Sequence, residues 1–227
     1  MRSRFDRAAA GWETGPRKKM ATAIASAMIK ALKPQKSDSC ADIGAGTGLV
    51  SAALAKRTGR VVAYDSSRGM LNELKEKIRI SGISNIMPVF LDIEKDPAPQ
   101  KSFDVVVSSM AMHHVKNTPL FARKLCGMLK AGGRLAIADL EKEDGGFHGD
   151  FRNSGAKHKG FDRNRLIAIF RQAGFFGIRF KRAYSALRQG KGGKQKKYHI
   201  FLMNAKKPGP KIKAYYGVSR VKPIKIR

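Results

Sequence analysis

The sequence predicts an α/β protein built on an open, mostly parallel sheet, on three observations. Short runs rich in valine, isoleucine and alanine alternate with segments of helical period, the pattern of strands joined by crossover helices. The first such run passes directly into a glycine-rich turn at residues 42–48 and then into a helix, the entry to a βαβ unit. The length of 227 residues fits one α/β domain able to bury most of its unfolded surface, and 42% hydrophobic residues argue for a globular chain.

In chain order, Phe5 and Trp12 fall in a loop-like stretch, and Pro16 suits the first turn of a helix. That helix turns Met20, Ile24, Ala27, Met28 and Leu32 inward. Residues 1–33 are therefore expected to form a helical cover, with Trp12, the only tryptophan, a candidate substrate wall. A helix over residues 49–56 stops near Thr58 and Gly59, and residues 60–65 form the second strand, closed by Asp65. The next helix ends at Ser81 and Gly82; residues 83–90 are the third strand, and residues 103–115 are the fourth strand with its exit loop, which carries Ser109, His113 and His114. Successive side chains in an extended chain point apart, so one of the two histidines is expected to face the cleft. A helix over 119–130 precedes a fifth strand ending at Leu140. Residues 141–160 make a loop longer than structural connections need, which points to a lid or substrate-binding insertion and contains Phe147, His148, Asp150 and His158. Asp162 caps a helix ending at Gly174, and two strands follow at 175–184 and 197–204, joined by the basic loop 189–196.

The turn Asp42-Ile43-Gly44-Ala45-Gly46-Thr47-Gly48 carries the chemistry. Glycines at alternate positions let a ligand approach the main chain. The spacing differs from the dinucleotide fingerprint, and Asp42, two residues before the first glycine, would repel a pyrophosphate. A ligand with positive charge suits it instead, and S-adenosylmethionine is a nucleoside with a sulfonium and an ammonium and no phosphate. Asp65 stands 17 positions beyond Gly48, where two carboxylate oxygens can accept from both hydroxyls of a ribose. The motif Asp42-x-Gly44-x-Gly46-x-Gly48 resembles the first motif of the class I S-adenosylmethionine-dependent methyltransferases, and the likeness extends over about residues 5–205.

That resemblance implies a Rossmann-like three-layer αβα sandwich with a seven-stranded, mostly parallel sheet whose last strand is antiparallel, occupying residues 1–207. It implies S-adenosylmethionine as cofactor, held by Asp42, Gly44, Ala45, Gly46, Thr47, Gly48, Asp65, Ser66, Met70, Asp92, Ile93 and Ser109. Asp65 would meet the ribose, Asp92 the adenine amine, and Met70 and Ile93 the ring. His113 and His114 are candidate general bases at the fourth strand's exit, and His148 a candidate substrate contact. The exit Ser108-Ser109-Met110-Ala111 lacks the prolines and aromatic of enzymes that methylate nucleobase amines. The stretch from Met110 to Val115 is more similar to the branch holding quinone-biosynthesis C-methyltransferases and small-molecule methyltransferases, so a small-molecule acceptor is expected.

Charge is uneven. Of the formal +29, residues 151–227 carry 22 basic residues and one acid, Asp162, leaving +8 for the first 150 residues. Such asymmetry points to an anionic partner such as RNA or a membrane surface, and a ribosome- or RNA-linked methyltransferase, or a non-catalytic nucleic-acid binder, is the alternative reading. Residues 208–227, with Tyr215 and Tyr216, read as a basic extended tail. Cys40 and Cys126 give neither a disulfide framework nor a metal site and are expected to pack in the core. His148, His158 and Asp150 do not have the spacing of a tight metal site, so no metal is expected. No apolar run is long enough to span a bilayer and no signal core follows the N-terminus, so a cytoplasmic location is expected.

Overall fold

The computed structural model describes residues 3–189 and 195–210. Its seven strands are β1 Ser39–Ile43, β2 Arg60–Asp65, β3 Ile86–Phe90, β4 Phe103–Ser109, β5 Leu129–Leu140, β6 Phe176–Gln189 and β7 Gln195–Lys206. They form one sheet in the order β3-β2-β1-β4-β5-β7-β6. β1 through β5 pair in parallel, whereas β7 runs antiparallel to both β5 and β6, as the resemblance implies. Strand order reverses between β1 and β4, so a crevice opens outside their carboxyl ends.

The helices are α1 Arg4–Ala8, α2 Gly15–Leu32, α3 Leu49–Ala55, α4 Arg68–Ser81, α5 Thr118–Met128 and α6 Arg163–Gln172. Alternation along each strand divides the core into two layers. Ala41, Ile43, Val62, Tyr64 and Val106 pack against Phe121 and Leu125 of α5 and Leu166 and Phe170 of α6. Cys40, Val61, Ala63, Val105 and Val107 face Ile24 and Met28 of α2, Leu54 of α3 and Leu74 of α4. Each large apolar side chain so buried contributes about 1.5–3 kcal/mol. Both cysteines are buried and unbridged.

Two expectations are corrected. The stretch around Phe5 is not a loop: Ser3 and Asp6 form a reciprocal capping box that starts α1, a 3-10 turn at Ala9–Gly11 follows, and only Trp12 to Thr14 form the irregular link to α2. Asp6 then accepts from the Ser67 hydroxyl at 2.6 Å and the Gly69 amide at 2.8 Å, pinning α1 to the first turn of α4. The last two strands are also longer than read from the sequence, because their pairing continues from Phe176–Lys206 out to Gln189–Gln195. Asp162 caps α6 as expected, its carboxylate accepting from the Arg165 amide at 2.9 Å. The middle of the basic loop (190–194) and the tail from 211 onward, with Tyr215 and Tyr216, lie outside the described residues. Among the described residues no helix is long and apolar enough to cross a membrane.

Candidate active site

The glycine turn leaves β1 at Ile43, where the Gly44 and Ala45 amides donate to the Tyr64 carbonyl at 2.8 and 3.0 Å. Asp65 then ties two loops together, its Oδ2 accepting from the Gly46 amide at 2.7 Å and its Oδ1 from the Ser67 amide at 2.8 Å. Burial pushes the Asp65 carboxyl up, and these amide bonds pull against it. Gly46, at φ +56°, has open space where a side chain would stand, whereas a Cβ on Gly44 would lie 2.4 Å from that of Ala111. Gly48, at φ +78° before α3, is not among the residues lining the cleft, and a Cβ there would strike Leu74.

Asp42 is 1% exposed. Its Oδ2 accepts from the Ser51 hydroxyl at 2.6 Å, and its Oδ1 has no partner. Burial raises the carboxyl to about 7; the Ser51 bond opposes the rise and the Asp65 charge adds to it. Thr47 gives its hydroxyl to Glu13 Oε1 at 2.7 Å, and the Lys77 ammonium bridges Glu13 and the Thr47 carbonyl. Glu13, absent from the sequence-based set, thereby clamps the cover to the glycine turn. Burial favours the neutral form of Glu13, but its bonds to Lys77 and Thr47 outweigh that and hold its carboxyl low. Asp92 is likewise bound within its own turn: Lys95 lies 2.9 Å away and the Glu94 amide donates at 3.1 Å.

The two histidines do not diverge. Met110 takes a left-handed conformation at φ +53°, and the chain leaves β4 through a 3-10 turn at Met112–His114. Because the extended geometry ends before them, the rings of His113 and His114 come within 4.2 Å and both line the cleft. His148 joins them from the long loop, 5.0 Å from His113. His113 is 1% exposed and its Nδ1 stands 2.7 Å from Asp139 Oδ1. Asp139 also accepts from the His113 and Leu140 amides, so the ring turns Nδ1 to the carboxylate and leaves the buried Nε2 without a partner. Burial is the main cause that lowers His114 to about 3 and His148 to about 4, leaving both neutral at pH 7. Among the described residues no group of histidine, cysteine and carboxylate side chains is arranged to hold a metal ion.

Every residue assigned to the site from the sequence, Gly48 excepted, lines one cleft of about 610 Å³ at the carboxyl ends of the central strands. Trp12 and His148 are among them, alongside Phe5, Phe147 and three arginines that sequence reasoning missed. Asp139 was missed too, although one signal existed: it is an acid inside the apolar run of β5, and it is fully buried.

Residues 41–137 match the methyltransferase domain family. Over 145 residues the chain is 33% identical to an uncharacterized methyltransferase of Schizosaccharomyces pombe, covering 58% of this chain and 51% of that protein. It is 32% identical over 105 residues to a ubiquinone/menaquinone biosynthesis C-methyltransferase of Vibrio vulnificus, covering 44% of this chain and 40% of that protein. The chain thus spans about half the length, or less, of these curated relatives. In structure it is similar to Haemonchus contortus phosphoethanolamine N-methyltransferase 2, solved with S-adenosyl-L-methionine, at a TM-score of 0.66 and 19% identity over 81% of this chain and 52% of that one. Motif order, sheet order and the match over residues 41–137 agree: the chain carries a stretch of methyltransferase-domain sequence on the sheet order that its resemblance to the class I S-adenosylmethionine-dependent methyltransferases implies.

Proposed function

We propose that this protein methylates a small-molecule acceptor with S-adenosylmethionine, His113 acting as the base that takes the acceptor's proton. The observation that carries this reading is that one cleft contains both the cofactor motif and the partnerless Nε2 of a histidine oriented by a buried carboxylate.

The residues present fit the cofactor. Asp42 has a buried, unpartnered oxygen suited to an ammonium donor, and the open face of Gly46 leaves room for a ligand against the main chain. The Asp65 oxygens each accept one amide and retain a lone pair for a ribose hydroxyl. Met70 and Ile93 supply apolar contact for a base, with Asp92 and Ser109 beside them. When bound, S-adenosylmethionine supplies a methyl made electrophilic by its sulfonium, the C–S electron pair leaving with sulfur.

The chain's own contribution begins with position. Holding the acceptor in line is worth about 7–11 kcal/mol of barrier. His113 Nε2 accepts the proton the acceptor loses, and Asp139 steadies the resulting imidazolium through Nδ1–H, an effect of about 10²–10⁴-fold. His114 and His148 stay neutral and do not repel that developing charge. Trp12 and Phe5, pinned over the cleft by the cover, wall the acceptor end and exclude water. Similarity to the C-methyltransferases of quinone biosynthesis supports a small acceptor.

Calorimetric titration with S-adenosylmethionine tests the reading. Micromolar binding, lost in Asp65→Ala protein that remains folded by circular dichroism, is the expected result. A folded wild-type protein that gives no binding heat, with or without candidate acceptors, overturns it.

A further inference from the structure

Arg4 and Arg17 of the N-terminal cover and Arg188 of β6 line the same cleft. None forms an ion pair among the described residues, and residues 1–2, 190–194 and 211–227 contain no aspartate or glutamate. The acids that share the cleft form no ion pair with them: Asp65 is bound by amides, Asp92 by Lys95, Glu94 by the Lys116 and Asn117 amides, and Asp42, whose Oδ1 is open, sits at the glycine turn bound to Ser51. The arginines are close enough to oppose one another. Burial first, and then the charges of Arg188 and Arg4, push the Arg17 guanidinium below its ordinary value. Arg4 and Arg188 also act on His148.

Aromatic faces hold Arg17 and Arg188 in place. The Arg17 guanidinium lies 4.2 Å above Trp12, which meets Phe5 at 5.8 Å, and Phe5 meets His114 at 4.9 Å. From the other side Arg188 lies 5.5 Å above Phe147, which meets His148 at 5.0 Å. With the His113–His114 and His113–His148 contacts, the rings form a continuous belt from Arg17 to Arg188, and the partnerless Nε2 of His113 belongs to it. Stacking fixes the planes of Arg17 and Arg188; Arg17 gives one N–H to the Trp12 carbonyl at 3.1 Å and Arg4 one to the Asn153 carbonyl at 2.7 Å, and the remaining N–H groups suit bonds to a carboxylate or phosphate.

We infer that the acceptor is a compact organic anion with a flat apolar body, its carboxylate or phosphate taken by Arg17 and Arg188 with Arg4 beside them, and its body lying in the aromatic belt. Collecting three uncompensated cations in a partly buried wall is costly unless an anion arrives to neutralise them. The inference rests on the methyltransferase reading, since it assigns the second substrate of the same cleft. The same chemistry has another source, the carboxylate of the cofactor's methionine part, and the test separates the two.

Trp12 is the only tryptophan and stacks on Arg17, so intrinsic fluorescence reports directly on the site. Protein saturated with S-adenosylhomocysteine is titrated with 4-hydroxybenzoate, phenyl phosphate and the uncharged 4-hydroxybenzamide, with calorimetry as a second readout. Both anions should bind at least about tenfold more tightly than the amide, and Arg188→Gln should lose about tenfold or more of that affinity, the share of a charge-assisted bond. Arg17→Gln, read by calorimetry because it removes the stack, should do the same. S-adenosylhomocysteine affinity should stay unchanged in both variants. Anions that bind no better than the amide overturn the inference. So does a variant that loses S-adenosylhomocysteine affinity while keeping anion affinity, which would give the arginines to the cofactor's own carboxylate. Failure of the wild type to bind S-adenosylhomocysteine at all would instead strike the methyltransferase reading.

Discussion

Asp42 and His113 are both buried polar groups with one atom left unpartnered, and each makes a prediction at the scale of a single side chain. The Asp42 carboxyl holds its proton up to about 7 in the folded protein, whereas an exposed aspartate releases it near pH 4. A raised acid stabilises the fold at low pH, and that contribution is lost as pH rises through about 7. Asp42→Asn should therefore be more stable than wild type at pH 8 and lose that advantage by pH 5, as measured by urea unfolding. The same substitution should weaken S-adenosylmethionine binding by about ten- to a hundredfold at pH 8, because a charge-assisted bond to the ammonium is gone. Wild-type affinity should rise between pH 6 and 8 with release of a proton, and in Asp42→Asn that dependence should flatten. For His113, replacement by Asn should leave cofactor affinity unchanged and lower methyl transfer by about 10²–10⁴-fold. Asp139→Asn acts through His113: cofactor binding should stay intact while the pH profile of kcat shifts, a change that a purely structural role would not produce.

The element most open to dissection is the turn between β1 and α3, because its glycines do different work. Gly44→Ala sets a Cβ 2.4 Å from that of Ala111 on a backbone at φ +73°, a clash neither side can relieve by rotation. Left-handed strain and overpacking together should cost about 2–4 kcal/mol of stability. Gly46→Ala meets nothing and should cost only about 1 kcal/mol, yet its methyl enters the cleft and should weaken S-adenosylmethionine binding. Thermal unfolding and calorimetry on the two variants read both effects; equal stability losses would refute the distinction. This turn was legible in the sequence because its information is local: a short apolar strand, spaced glycines and an acid at the next strand's end. The alternation of strands and helices was legible for the same reason. What escaped depends on contacts between distant residues. Asp139 meets His113 across 26 positions, Glu13 meets Thr47 across 34, and Arg188 reaches the cleft only because β6 is carried to it by pairing with β7. The paired histidines were misread because strand geometry was extended through Met110, where the backbone turns left-handed and a 3-10 turn begins.

Across the whole molecule, the histidines that build the acceptor end also set how the fold responds to acid. His114 and His148 lie against each other, His113 and Phe5 or Phe147, with Asp139 as the nearby acid and Arg4 and Arg188 as the nearby cations. Burial, with the neighbouring positive groups, lowers them to about 3 and about 4, whereas in the unfolded chain each titrates near 6.5. Below pH 6.5 the unfolded state takes up protons that the folded state refuses, so both residues favour unfolding increasingly as pH falls from about 6.5 toward 4. Asp42 works in the opposite sense over nearly the same range, and Glu13, held low by its clamp, adds to the acid loss nearer pH 4. Asp65, also pushed up by burial, works with Asp42, so the histidines' share of the acid response is read as the difference between wild type and a variant without them. Taken relative to wild type, the urea midpoint of His114→Asn/His148→Asn should rise from pH 7 to 6 to 5. A double variant that parallels wild type through this range would mean that solvent reaches the two rings and that the acceptor end of the cleft is not the closed, dry compartment from which a histidine base gains its advantage.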